Sequence, residues 1–167
     1  RWRERDNTIS VWNPNQGIAI SFAVRDRIFA YQPAIGITEL VNDSLRLVSD
    51  GVQMANTRVY VMLPYDEERI LVGTRYQGLF LYDGTTFSQF ETEADRYLSE
   101  NQLYCGARLG DGTFALGTNR GGLVIMNQAG EVVQTINKAD GLQNAEIAAI
   151  GSDRQGRLWV PLNQGIS

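Results

Sequence analysis

Histidine is missing from this 167-residue chain, and cysteine occurs once, as Cys105. Without histidine the chain can form no Ser-His-Asp or Cys-His catalytic group, no histidine phosphoacceptor and no zinc site of the usual His/Cys kind. One cysteine cannot form an internal disulfide bond, and Cys105 lies in the apolar run 103–109 (LYCGARL) with no base nearby. We therefore expect a buried, unreactive thiol and no metal ion or other cofactor.

Long apolar runs and a strong charge of either sign are also absent. The longest apolar run, residues 17–24 (GIAISFAV), is too short to cross a bilayer, and the first residues do not resemble a signal peptide. The formal net charge is −4 and the 15 Lys and Arg are dispersed, which gives no attraction to a phosphate backbone. We expect a soluble segment of a larger protein, with no nucleic-acid binding and no direct membrane insertion.

Repetition is the main feature that the chain does have. One pattern occurs four times, with starts 42, 44 and 44 residues apart, and an asparagine precedes each copy (Asn15, Asn56, Asn101 and Asn144). A period in the low forties favours one supersecondary unit copied in series, and at this length the leading candidate is a propeller blade. The copies are residues 27–37 (RIFAYQPAIGI), 69–79 (RILVGTRYQGL), 113–123 (TFALGTNRGGL) and 157–166 (RLWVPLNQGI).

Each full period contains four short runs rich in Val, Ile, Phe, Leu and Thr, separated by turn signals such as Asp83-Gly84, Asp111-Gly112 and Asp50-Gly51. Runs of this length and composition are typical of strands. They predict an all-β fold, a β-propeller of four-stranded antiparallel blades with almost no helix beyond a turn at 94–98. The predicted strands are 8–13, 18–24, 27–32, 36–41, 44–49, 59–63, 69–74, 78–83, 87–92, 103–109, 113–118, 122–127 and 131–137.

About four repeats are present, and we interpret them as part of a larger ring of the seven-bladed type. A closed ring of four blades is the alternative, but it would need a last spacing of 37 residues, shorter than the others. The predicted units are the end of a blade at 1–14, blades at 15–55, 56–100 and 101–143, and the start of a blade at 144–167.

The last copy carries a resemblance to a known family. Gly141-Leu142 and Asn144 open it, an acidic turn at 153–156 ends in glycine, and Leu158-Trp159 leads to Gly165-Ile166. This pattern resembles the repeat of the two-component regulator propellers. A Gly-Thr step usually follows the second strand of that repeat. It is present at 73–74 and 117–118, whereas the first copy has Tyr31-Gln32 and the last has Pro161-Leu162.

The resemblance implies propellers that are usually seven-bladed and often occur in pairs, and that form the extracytoplasmic sensing part of bacterial histidine kinases and hybrid two-component regulators. Some members of that family respond to oligosaccharides. By this resemblance we expect a periplasmic or extracytoplasmic, noncatalytic domain that senses a small-molecule or oligosaccharide ligand. Its other expected partners are further propeller blades or a second copy of the chain.

Two other functions remain open. A protein-interaction scaffold is the alternative, and a propeller glycosidase ranks below both, although the chain has 19 carboxylates to supply a catalytic pair. We expect the acidic residues of the hairpins to solvate and cap turns instead of performing chemistry. Those residues are Asp66, Glu67, Glu68, Asp83, Asp111 and Asp153.

The best candidates for ligand contact are the connections between the second and third strands, because they differ among copies while the scaffold repeats. We expect them to emerge on one face of the ring, together with the connections between blades. Their planar and hydrogen-bonding side chains suit sugars or anions. The candidates are Tyr31, Gln32, Arg75, Tyr76, Asn119, Arg120, Asn163 and Gln164. Phe29 and Trp159 are predicted to lie in the core between blades.

Overall fold

The computed structural model describes residues 2–3, 8–9, 17–153, 155–162 and 165–166. These residues form three four-stranded and three two-stranded antiparallel sheets, one short α-helix and two 3₁₀ turns. The all-β architecture and the four-stranded antiparallel repeat unit predicted from the period are therefore confirmed.

The strands follow one another along the chain, and each four-stranded sheet is built from consecutive hairpins. The first pair is β1 (Trp2–Arg3) with β2 (Thr8–Ile9). Sheet 1 consists of β3 (Ile20–Val24), β4 (Arg27–Gln32), β5 (Gly36–Val41) and β6 (Ser44–Leu47). Sheet 2 consists of β7 (Val59–Pro64), β8 (Ile70–Thr74), β9 (Leu79–Tyr82) and β10 (Phe87–Phe90). Sheet 3 consists of β11 (Leu103–Arg108), β12 (Phe114–Thr118), β13 (Leu123–Met126) and β14 (Val132–Ile136). Two further pairs follow, β15 (Gly151–Ser152) with β16 (Leu158–Trp159), and β17 (Pro161–Leu162) with β18 (Gly165–Ile166).

The predicted strands of the three full sheets are confirmed, with ends that differ by no more than about two residues. β4 and β5 match their predictions exactly in extent. Of the predicted strand at 8–13 only Thr8–Ile9 lies within the described residues. The Asp50-Gly51 pair does not join two strands, since Gly51 begins a 3₁₀ turn (Gly51–Met54) and the Asp50 carboxylate accepts the Phe87 N–H of sheet 2 at 3.1 Å.

The helical signal at 94–98 becomes the helix α1 (Asp95–Asn101), which is longer than predicted. The Asp95 carboxylate accepts hydrogen bonds from the N–H and the hydroxyl of Thr92 (3.1 and 2.6 Å), which fixes the first turn. Leu98 then anchors the helix, because its side chain is buried among residues of sheets 2 and 3.

The core consists of layers between neighbouring sheets. Phe22, Phe29 and Ile37 of sheet 1 pack against Met62 and Val72 of sheet 2. The opposite face of sheet 2 packs against sheet 3, and sheet 3 in turn packs against residues 142–162. Full burial of one such Phe, Leu or Ile side chain contributes about 1.5–3 kcal/mol. Because each central sheet buries both of its faces, its strands are apolar on both sides, and β8 and β12 are buried along their whole length.

The prediction that Phe29 and Trp159 share a core position is confirmed for Phe29 and wrong for Trp159. Phe29 is fully buried against sheet 2, whereas Trp159 is 47% exposed. The Trp159 indole lies on the side of β16 that faces away from sheet 3. There its N–H donates to the Asp153 carboxylate at 3.1 Å, and the Arg157 guanidinium lies 5.7 Å from the ring centroid.

The glycine that precedes or opens the third strand of sheets 1, 2 and 3 has a backbone requirement. Gly36, Gly78 and Gly122 all have φ between +79° and +116°. A Cβ atom at Gly36 would also collide with the carbonyl of Gly51, and one at Gly122 with the carbonyl of Ile136. These three glycines are therefore needed for their left-handed conformation, and Gly36 and Gly122 also for close backbone contact.

We expect Gly122→Ala to destabilise the chain strongly. The left-handed conformation costs an alanine about 1–2 kcal/mol, and displacement of the Ile136 carbonyl adds roughly 1–3 kcal/mol of overpacking. The matched control is Gly84→Ala, because Gly84 also has positive φ (+94°) but nothing lies within 4 Å of an added Cβ. Urea unfolding of both variants measures the difference, and equal losses would contradict the steric argument.

The acidic hairpin residues cap turns, as predicted for the aspartates. Asp66, Asp83, Asp111 and Asp153 each accept hydrogen bonds from backbone N–H groups two to four residues ahead. Hydrogen bonds from the Arg69 side chain and backbone lower the pKa of Asp66 from 3.8 to about 2. Those from the Trp159 indole and the Arg157 guanidinium lower the pKa of Asp153 to about 2 as well.

These lowered pKa values predict acid sensitivity. A depressed pKa in the folded state contributes stability that is present above the ordinary value of 3.8 and is lost as the pH falls towards 2. We expect the urea midpoint to drop between pH 5 and pH 2.5, and to drop less in Asp66→Asn. Glu67→Gln is the control in the same turn, because the described residues give its side chain no hydrogen bond. An equal drop in both variants would contradict this assignment.

Candidate functional site

The connections between second and third strands lie against the segments that lead into first strands. The Arg75 N–H donates to the Arg58 carbonyl at 2.9 Å, and the Asn119 N–H donates to the Gln102 carbonyl at 3.0 Å. In sheet 1 the Ala34 N–H donates to the Ala55 carbonyl at 2.9 Å, in the segment that leads into the first strand of sheet 2. The two kinds of connection therefore share one end of the sheets, as the repeat predicted.

The Gly-Thr step of the repeat sets the geometry of this end in sheets 2 and 3. Thr74 and Thr118 each donate to the carbonyl that closes the following loop (Gly78 and Gly122, both at 2.8 Å). The preceding Gly73 lets the first strand of the next sheet come close, because a Cβ there would lie 2.6 Å from Leu103. Gly117 does the same for Ile147, at 2.8 Å. These junctions between sheets are therefore tightly closed.

Sheet 1 departs from this arrangement. Tyr31 and Gln32 replace the Gly-Thr pair, and Pro33 follows, where an N–H is not available for the bond that Arg75 and Asn119 make. The Tyr31 ring now lies where Gly73 leaves room for a neighbouring strand. A cavity of about 460 Å³ opens beside it, lined by Tyr31, Pro33, Arg58, Tyr60 and Tyr104 together with Ala19, Ile20 and Val59. This volume is in the range of small-molecule sites.

Two tyrosines reach this cavity because their strands bulge. In β7 the pairing with β8 jumps from Val59 to Val61, and in β11 the pairing with β12 jumps from Leu103 to Cys105. The skipped residues are Tyr60 and Tyr104, whose ring centroids lie 5.3 Å apart with planes tilted by 38°. A bulge re-aims a side chain out of the ladder. Sheet 1 contributes Tyr31, so one tyrosine from each of three sheets lines the cavity.

Arg75 contacts Tyr60 but is not itself part of the cavity lining. Its guanidinium donates to the Tyr60 hydroxyl oxygen at 3.3 Å and to the Gln102 amide oxygen at 2.5 Å. It also lies 5.7 Å from the Tyr60 ring centroid and 5.6 Å from that of Tyr76. Because the Tyr60 oxygen accepts from arginine, the hydroxyl hydrogen is left to donate elsewhere.

A second cavity, of about 280 Å³, adjoins the first. It is lined by Asn56, Thr57, Arg58, Tyr76 and Gln77. The Thr57 hydroxyl donates to the Gln77 amide oxygen at 2.7 Å, which ties the loop of sheet 2 to the segment before β7. Arg58 lines both cavities and is exposed.

The structure places the predicted site residues unequally. Tyr31 and Tyr76 line the two adjoining cavities, and Arg75 lies directly behind Tyr60. Gln32 is buried, with its amide oxygen accepting from the Thr38 hydroxyl at 3.1 Å, which is a contact inside the sheet. Asn119 and Arg120 follow β12 in the equivalent loop of sheet 3 and line neither cavity. Asn163 and Gln164 lie outside the described residues.

Sequence reasoning missed Arg58, Tyr60 and Tyr104, which lie on or beside first strands. They follow Asn56 and Asn101, two of the asparagines that precede the copies, so the repeat did indicate this part of the chain. The bulges themselves have no local signal, because Val-Tyr-Val and Leu-Tyr-Cys also suit regular strands. Only the pairing with β8 and β12 shows which residue is left out of the ladder.

The described residues show no arrangement suited to covalent or metal chemistry. Burial raises the pKa of the Cys105 thiol to about 12, which keeps it protonated at neutral pH. Within the described ranges, no three Cys, Asp or Glu side chains lie close enough to hold a metal ion. The cavity between sheets 1 and 2 is lined by aromatic rings and an arginine, which suit noncovalent contacts with a ligand.

Solved structures share this fold over nearly the whole chain. The extracellular domain of a protein described as a hybrid two-component system, BT3049 of B. thetaiotaomicron, matches with a TM-score of 0.75 and 19% identity over 98% of this chain. The WD40 β-propeller domain of Doa1 matches with a TM-score of 0.68 and 15% identity over 91%. The chain has the β-propeller fold.

This propeller segment spans only part of the proteins it matches. It covers 23% of the BT3049 chain and 50% of the Doa1 chain. The extracellular domain of BT4673, described as a one-component system of B. thetaiotaomicron, is matched over 24% of its length, with a TM-score of 0.69 and 20% identity over 99% of this chain. No protein-family model and no curated protein matches the propeller sequence. Among the described residues, none of the helices has the length and hydrophobicity of a membrane span.

Proposed function

We propose that this propeller segment belongs to the extracytoplasmic, noncatalytic sensing part of a bacterial two-component regulator. Its ligand binds in the cavity between sheets 1 and 2. The observation that carries the proposal is the cavity of about 460 Å³ at the one junction among sheets 1–3 where the Gly-Thr step is replaced. The repeat pattern of the chain and the likeness of its fold to extracellular domains of two-component systems support the setting.

A noncatalytic role agrees with the chemistry of the cavity. Its lining has tyrosines, an arginine and apolar residues, but no carboxylate pair that could act as acid and nucleophile. The hairpin aspartates are engaged in turn hydrogen bonds. Binding without turnover is what a sensor requires, and signalling would then fall to a histidine kinase module elsewhere in the protein.

A thermal-shift screen of mono- and oligosaccharides and small metabolites tests the binding role. We expect at least one compound to raise the unfolding temperature, because a ligand that binds only the folded state stabilises it. Tyr60→Ala should abolish that shift, whereas Val133→Ala, on the exposed face of β14, should keep it.

The fate of the compound separates a sensor from an enzyme. NMR of the compound after prolonged incubation with the chain should show it unchanged. A screen without any stabilising compound, or turnover of the compound, would contradict the proposal. The full reading frame is a second test, since we expect further repeats, a transmembrane helix and a kinase module.

An interaction scaffold is the second candidate, and one surface favours it. The face of sheet 1 that points away from sheet 2 carries Ile28, Leu40, Leu45 and Leu47, and Leu40 pairs directly with Leu45 across β5 and β6. Ile28 is 42% and Leu47 50% exposed. Four neighbouring aliphatic side chains on one sheet face form a surface that another protein chain, or further propeller blades, would cover.

We expect the isolated chain to self-associate through this face of sheet 1. Replacement of Ile28 and Leu47 by lysine should reduce the mass measured by light scattering to that of the monomer. Val133→Lys is the matched control, because Val133 is 60% exposed on another sheet. A wild-type chain that is strictly monomeric at high concentration would contradict the expectation.

A further inference from the structure

The two cavities share a positively charged lining residue, Arg58, which a sensing role alone does not explain. Arg27, Arg69 and Arg157 each pair with a carboxylate at 2.6–2.7 Å. Arg58 does not, since its guanidinium has no hydrogen bond or ion pair with any residue in the part of the chain that the structure describes. It is nevertheless placed on the wall of both adjoining cavities. A cation in this position is available for a ligand.

No described acidic side chain lines either cavity, although the chain carries 19 Asp and Glu. Arg75 adds a second positive charge immediately behind Tyr60, at 3.3 Å from its hydroxyl. Arginine pairs with carboxylates through two parallel N–H donors, and such charge-assisted bonds are the stronger kind. The lining therefore favours an anion over a neutral molecule.

The hydrogen-bond directions at the cavity also favour an anion. The Tyr60 hydroxyl accepts from Arg75, so its hydrogen is free to donate towards the ligand. Arg58 offers only donors. In the second cavity the Gln77 amide oxygen is already engaged by the Thr57 hydroxyl, which leaves the amide N–H groups to donate. An acceptor-rich group satisfies these donors best.

The rest of the wall is flat and apolar. The Tyr60 and Tyr104 rings lie 5.3 Å apart, and Tyr31 and Pro33 of sheet 1 line the same cavity. Aromatic faces of this kind pack against the face of a ring in the ligand. The site thus combines one unpaired arginine with several ring-sized contact surfaces.

We propose that this cavity binds a carboxylated six-membered ring, with Arg58 pairing to the carboxylate and the tyrosines packing against the ring. The inference rests on the proposed sensing function and names its ligand class. Acidic sugars and aromatic carboxylates share this chemistry, and the experiment separates them.

Isothermal titration calorimetry of the chain with matched pairs of probes tests the proposal. The pairs are D-glucuronate with D-glucose, D-galacturonate with D-galactose, and benzoate with benzyl alcohol. We expect one acid to bind at least tenfold more tightly than its neutral counterpart, and more weakly as salt is raised. A sugar acid as the binder identifies the ring as a saccharide, and benzoate identifies it as aromatic.

Arg58→Gln should weaken that binding at least tenfold. Arg46→Gln makes the same charge change on β6, the outer strand of sheet 1, which lines neither cavity, and should leave the affinity unchanged. Circular dichroism shows whether each variant is folded, and Arg58→Lys, which keeps the charge without the planar fork, should recover part of the affinity.

Three results would overturn the inference. The first is binding of the neutral member as tightly as the acid, and the second is equal affinity in Arg58→Gln and the parent chain. Failure of every acid probe while a neutral compound from the thermal-shift screen binds at Tyr60 would also overturn it and leave the sensing function standing. If no compound of any charge binds, the sensing function fails as well.

Discussion

Neighbouring sheets approach one another closely, and this approach sets the packing and the loop geometry of the fold. Where a neighbouring unit packs directly against the backbone of a sheet, a side chain has to be missing at that position. Gly73 and Gly117 provide that gap on the second strand, so that Leu103 and Ile147 of the following units fit against the backbone. The threonine after each glycine then fixes the loop to the third strand. Close packing and loop geometry thus come from two adjacent residues of the repeat.

The candidate site arises where this pair is replaced. At the junction of sheets 1 and 2, Tyr31 fills the position of the glycine and Pro33 removes a backbone donor. The cavity borders both residues and is completed by tyrosines that bulges turn out of β7 and β11. Its charge comes from Arg58 and from Arg75, which is held by Gln102 and Tyr60. The site is therefore assembled from three sheets, each of which contributes one aromatic ring.

Much of the fold could be predicted from the sequence, because the hydrophobic periodicity, the turn residues and the repeat length are set by residues close together in the chain. The strands of sheets 1 to 3, the shared end of the connecting loops and the capping role of the hairpin aspartates follow from those signals. The helix α1 was underestimated, since its length depends on burial of Leu98 between two sheets. Trp159 was misplaced, because the repeat equates it with Phe29 but cannot show what lies on its far side. Tyr60 and Tyr104 were missed, because a bulge is a property of strand pairing and both sequences suit a regular strand.

The Gly-Thr step acts separately at each junction of this chain. Gly73 and Gly117 each keep their own junction closed, and neither takes part in the junction of sheets 1 and 2. There Tyr31-Gln32 replaces the pair, and a cavity of about 460 Å³ borders Tyr31. The larger residue therefore lies at the more open junction, which inverts the usual relation between side-chain size and free volume.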